Sequence, residues 1–166
     1  KKGKIRDHHF AHKTNSPNCN PETILHKTGK AILRDRFETG IRSNQNIDIK
    51  WKCDICNRDN FKNVLREASS VEIEKNLETC RPDITLSDAE GNPTALVEIV
   101  VKHPPEENVY EFAKNNELTV IEFHLKTEED LKPLEVSEIL SPDKVTPCTF
   151  PNCKPIGETD EFNFNE

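Results

Sequence analysis

No run of about 18 apolar residues, the length a helix needs to cross a bilayer, occurs in this sequence. No leading segment has the charged, apolar and small-residue order of a secretory signal, and no internal repeat is visible. These absences argue against a membrane span and point to a soluble, cytoplasmic protein. The first residue is Lys1 rather than Met, which reads as a piece of a longer chain. Basic residues are in deficit, with 23 Lys and Arg against 30 Asp and Glu and a net charge of −7. Taken alone, that balance disfavours a polyanionic partner.

The charge is unevenly spread. Residues 1–36 carry nine Lys and Arg against Asp7, Glu22 and Asp35, a net +6, whereas the rest carries 14 against 27, a net −13. One basic surface on an acidic body is compatible with a nucleic-acid partner, and a charged chain end beside a solvated helix is the plainer alternative. At 166 residues the chain can bury one core with a small appended module. Six cysteines are present, four of them in Cys53-x2-Cys56 and Cys148-x4-Cys153. Such paired knuckles in a chain without a secretory signal favour zinc over disulfides, and a four-thiolate shell leaves no open position, so the ion is expected to be structural. Cys19 with His8, His9 or His12 forms a much looser set.

The pattern predicts an α/β layer around one mixed sheet. Pro21 opens a helix whose apolar side includes Ile24, Leu25, Ala31, Ile32 and Phe37, with Gly40 as a natural stop. Ile47–Cys53 and Val71–Leu77 alternate with period two and read as strands. Glu106–Asn116 reads as a helix, and the β-branched run Leu118–Leu125 beyond it is expected to lie parallel to the Ala95–Val101 strand.

The chemistry concentrates between Arg81 and His103. Asp83-Ile-Thr-Leu and Ala-Leu-Val-Glu98-Ile-Val-Val are two apolar strands joined by the turn-forming Asp88-Ala-Glu-Gly-Asn-Pro93. Centring the reversal between Glu90 and Gly91 puts Asp83 opposite Glu98 on one face. Two carboxylates side by side in apolar strands call for a cation, and oxygen ligands suit Mg²⁺. Alternation beyond Glu98 assigns Lys102 to the same face, from where its side chain can reach back to a nucleophilic water or a developing phosphate charge. Glu22, His26 and Lys30, four residues apart along the first helix, form one polar stripe, which is either a solvent face or a lining for this site.

Taken in order, His-Phe10-Ala-His12-Lys13, Glu22-x3-His26-x3-Lys30, Arg-Pro-Asp83 and Glu98-Ile-Val resemble the PD-(D/E)XK nuclease superfamily, and within it the competence CoiA-like nucleases. The resemblance covers roughly residues 8 to 125. It implies a restriction-endonuclease-like α-β-β-β-α-β core with a mixed sheet, to which the cysteine knuckles add a small zinc-binding module. It further implies metal-dependent cleavage of DNA, with Asp83, Glu98, the Ile99 carbonyl and Glu22 holding Mg²⁺ or Mn²⁺. Catalytic roles would fall to Asp83, Glu98, Lys102 and Glu22, and substrate contacts to His26, Lys30, His12 and Lys13. Cutting both strands of a duplex would favour a homodimer. The chain then divides into a basic arm (1–20), a nuclease-like core carrying the inserted Cys53–Cys56 knuckle (21–131), a segment completing the zinc site (132–156) and an acidic tail (157–166). One position departs from the superfamily pattern: Val100 stands where its lysine is usual, which leaves the positive charge to Lys102 or Lys30. A nuclease-fold module that binds nucleic acid or a protein without cutting is the alternative reading.

Overall fold

Pro21–Arg42 folds as one 22-residue helix, α1, because Leu25, Ile32, Leu33 and Phe37 recur at helical spacing and are almost wholly buried. The computed structural model describes residues 21–157, without the side chains of Pro21 and Glu22. The helix runs through Gly40, where a stop was expected, and is closed by Asn44 at φ 50° and by the Gln45 N–H bonding the Gly40 carbonyl at 2.8 Å. Gly40 serves packing instead. A Cβ there would meet Leu65 Cδ1 at 2.6 Å and Ile47 Cδ1 at 3.1 Å.

Two sheets follow rather than the single one expected. In the first, β1 (Asp48–Lys52) pairs antiparallel with β2 (Asp59–Asn63) and parallel with a short strand near the carboxyl end, β7 (Ile139–Leu140). Ile49 and Trp51 of β1 point inward and Lys50 and Lys52 outward, which is the period-two signature of a half-buried strand. The second sheet has the order β3–β4–β5–β6–β8, made of Ser70–Ile73, Ile84–Ser87, Pro93–Val100, Thr119–His124 and Lys144–Thr146. All its pairs are antiparallel except β5 with β6. That parallel pair is joined through α2 (Glu107–Asn115), as its crossover length requires. A single 3-10 turn (Glu128–Asp130) and α3 (Leu131–Val136) lead to β7. The segment after residue 131 therefore adds a strand to each sheet instead of serving only to complete a metal site.

Strand β5 is covered on both faces. Ala95, Val97 and Ile99 join α1 and β6 in the main core, while Leu96 meets Val109, Ala113 and Val120 in a smaller one under α2. Its near-continuous apolar sequence follows from that double burial. Each fully buried Leu, Ile or Phe contributes roughly 1.5–3 kcal/mol, so β5 is firmly anchored where it carries Glu98. The Asp88 carboxylate fixes the β4–β5 turn by accepting the N–H groups of Glu90 and Asn92, with Gly91 at φ 85°.

Candidate active site and metal centre

The β4–β5 hairpin pairs Ile84 with Val97, Thr85 with Leu96 and Leu86 with Ala95, the register expected from the turn. Continued one residue past β4, it brings Asp83 to Glu98. The Asp83 N–H points at Glu98 Oε1 across 3.4 Å, and Asp83 Oδ2 accepts the Ile99 N–H at 2.8 Å. Both carboxylates lie at one end of the sheet, in a cleft of about 700 Å³ that α1 closes on one side. Their electrostatics diverge. Burial works against the Asp83 charge, but the bonds from His26 and the Ile99 N–H and the charge on Lys30 outweigh it, so its pKa falls below the usual carboxylate value. Glu98 is 9 % exposed, and burial together with the Asp83 charge pushes it up to about 8.

Of the polar stripe of α1, His26 and Lys30 face the acid pair. His26 Nε2 lies 3.0 Å from Asp83 Oδ2, and Lys30 Nζ lies 3.4 Å from Asp83 Oδ1 and 2.7 Å from Glu74 Oε1. Lys30 is buried, and two carboxylates compensate its charge. Helix α1 comes this close because residue 29 is glycine: a Cβ there would meet Leu125 Cδ1 at 2.7 Å and Ile99 Cγ2 at 3.4 Å.

Lys102 also borders the cleft, but not by strand alternation. Strand β5 ends at Val100, and Val101–His103 are bends, so Lys102 is an exposed residue at the cleft mouth. Val100 is buried in the strand. Glu22 belongs to α1, but its side chain lies outside the described residues, as do His12, Lys13, Cys19 and the other amino-terminal histidines.

Two acids, Glu74 in the cleft and Glu122 beside Glu98 in the sheet, are not assigned to the site by the sequence pattern. Glu74 was placed within an alternating strand, yet β3 stops at Ile73, and Glu74 adopts φ 48°, which turns its carboxylate to Lys30 and Arg81. Glu122 of β6 lies in register with Glu98 and is 2 % exposed. Its carboxylate accepts the Tyr110 hydroxyl at 2.7 Å and lies 3.3 Å from His124 Nε2. Burial and that bond raise the Tyr110 pKa above its usual value. The signal available for Glu122 was one glutamate at the same depth in each of two apolar runs.

The four cysteines of the two knuckles converge, with their sulfurs all within 4.8 Å of one another. Cys53 Sγ lies 3.6 Å from Cys153 Sγ, and Cys56 Sγ lies 3.7 Å from Cys148 Sγ. A disulfide needs about 2.05 Å. A tetrahedral zinc with bonds of about 2.3 Å sets its sulfurs about 3.8 Å apart. The cluster could therefore hold a metal ion such as zinc. The backbone N–H of Arg58 holds the Cys56 thiol down to about 6, and burial pushes Cys153 up to about 12. Buried Asn60 fastens the second knuckle: its Oδ1 accepts the Thr149 N–H and hydroxyl and faces Cys148 Sγ at 3.7 Å.

No helix among the described residues is long and apolar enough to cross a membrane. Searches against protein-family models, curated proteins and solved structures find no match to this chain.

Proposed function

We propose that this protein is a divalent-metal-dependent nuclease that hydrolyses phosphodiester bonds in DNA. The observation that carries the reading is the Asp83–Glu98 pair. Two carboxylates, Asp83 partly and Glu98 almost wholly buried, share one end of a hairpin, and burial beside the Asp83 charge pushes Glu98 up to about 8, which marks a deficit of positive charge there. A divalent cation fits that deficit, and oxygen-only donors fit Mg²⁺ or Mn²⁺. Asp83 and Glu98 would hold it, with the Ile99 carbonyl and Glu22 as the further ligands that the CoiA-like resemblance implies. When bound, such an ion polarises the phosphodiester and lowers the pKa of an attacking water.

The chain's own residues do the rest. His26 and Lys30 keep Asp83 ionised, and the Lys30 ammonium sits beside the acid pair, where it can stabilise charge developing on a phosphate oxygen. Lys30 is thus preferred to the exposed Lys102 for the charge that Val100 does not supply. The reaction is hydrolysis: a water oxygen bonds to phosphorus, and an ester oxygen leaves and takes a proton. With β1 and β2 set aside as an insertion after α1, the order α1, β3–β4–β5, α2, β6 supports a restriction-endonuclease-like core of the PD-(D/E)XK type. The four-cysteine cluster is proposed to carry structural zinc, DNA is the proposed partner, and duplex cleavage would suit a homodimer.

A buried valine at position 100 favours one rival, a nuclease-fold module that binds nucleic acid without cutting it. Zinc-loaded protein incubated with linear, circular and single-stranded DNA plus Mg²⁺ or Mn²⁺ separates the two. The nuclease reading expects cleavage that Asp83→Ala and Glu98→Ala abolish. Binding without cleavage above those variants would favour the module instead.

A further inference from the structure

Glu74 lines the cleft without belonging to any metal-binding motif, and it touches two of the cleft's cations, Lys30 and Arg81. Its Oε1 accepts from Lys30 Nζ at 2.7 Å, and its Oε2 accepts from Arg81 at 3.0 Å. Arg81 also donates to the Glu74 backbone carbonyl at 2.9 Å, so one guanidinium fixes both ends of the residue. The Glu74 N–H is tied to the Asp83 carbonyl at 3.0 Å. Glu74 is held at φ 48°, a left-handed conformation that comes at a cost for any residue with a side chain. Continuing β3 would avoid that cost but would turn the carboxylate away from Lys30.

The gain lies at Lys30. Its side chain is 7 % exposed and that of Asp83 is 13 % exposed, whereas those of Glu74 and Arg81 are 46 % and 60 % exposed. The four residues form a chain from solvent inward: Arg81, Glu74, Lys30, Asp83. A lysine reaching the site from a helix has a long, flexible stem, and a strong bond to a fixed acceptor removes most of that freedom. A lysine projecting from β5 at position 100 would have been oriented by the strand itself.

We propose that Glu74, oriented by Arg81, is a positioning residue that sets the Lys30 ammonium against Asp83 and so aims it at the scissile phosphate. The inference rests on the nuclease reading for its catalytic half. Its structural half, the hold of Glu74 on Lys30, stands on the geometry alone.

The test compares zinc-loaded wild type with Glu74→Gln, which keeps the shape and removes the charge. Both are first melted to confirm similar stability, as expected for a half-exposed side chain. Steady-state cleavage of a labelled duplex in Mg²⁺ is then measured, and in parallel the acylation rate of Lys30 by an amine-reactive probe, read by mass spectrometry against exposed Lys27 of the same chain. The expected result is a kcat lowered about ten- to a hundredfold with KM nearly unchanged, and Lys30 labelled several-fold faster. A variant cutting as fast as wild type or faster overturns the proposal, since Glu74 would then be idle or would be masking the cations. Unchanged Lys30 labelling overturns it as well. Wild type that cuts nothing removes the nuclease reading and with it the catalytic half, while the labelling ratio still decides whether Glu74 holds Lys30.

Discussion

At Glu98 a carboxylate sits 9 % exposed, beside Asp83 and in register with Glu122. Its folded-state pKa of about 8 exceeds the ordinary 4.5, so folding takes up a proton at this residue. Stability from this group is therefore present at acid pH and is lost as pH rises from about 4.5 to about 8. Without added divalent ions, Glu98→Gln is expected to stabilise zinc-loaded protein at pH 8 by roughly 1–3 kcal/mol, with the gain vanishing near pH 5. Excess Mg²⁺ should raise the melting temperature of wild type and leave the variant unmoved. Thermal melts across that pH range check both points, and a Glu98→Gln variant less stable than wild type at pH 8 would contradict them. Asp83 and Glu98 were readable from sequence because turn chemistry fixes hairpin register and register fixes which side chains meet. Glu74 was not, because the alternation of Val71–Leu77 reads as strand through that position and nothing local announces a left-handed glutamate.

Among the elements, α1 does most to shape the site. It brings His26 and Lys30 to the hairpin only because Gly29 lets the helix settle against Leu125 and Ile99. Gly29→Val would force Leu125 Cδ1 aside and lift that turn of the helix. The expected cost is about 1–3 kcal/mol, measured by urea unfolding, together with a weaker Mg²⁺-induced rise in melting temperature. An unchanged Mg²⁺ response would mean that the helix does not set the acid pair. The existence of α1, α2 and the hairpin was legible from apolar spacing, and so was the parallel β5–β6 pairing. The length of α1 was not, because Gly40 looks like a stop in sequence and is a packing contact in the fold. Likewise Val71–Leu77 alternates throughout, but the strand ends where Glu74 turns.

For the molecule as a whole, the chain after residue 131 returns across both sheets, placing β7 beside β1 and β8 beside β6 before Cys148 and Cys153 meet Cys53 and Cys56. Such long-range pairing has no local signature, so one sheet was expected where two form, while the cysteine spacings alone joined the two ends. Cys53→Ser or Cys148→Ser is expected to remove one zinc per chain by metal analysis and to lower the melting temperature, since the ion would close a loop of about a hundred residues. Unchanged zinc content would contradict the four-cysteine site. Whether Asp83 and Glu98 form a divalent-cation site is decided by titrating Mn²⁺ into zinc-loaded protein and following free Mn²⁺ by electron paramagnetic resonance. Saturable binding in wild type that is lost in both Asp83→Ala and Glu98→Ala is the result expected. Equal Mn²⁺ uptake by wild type and the two variants would contradict the account.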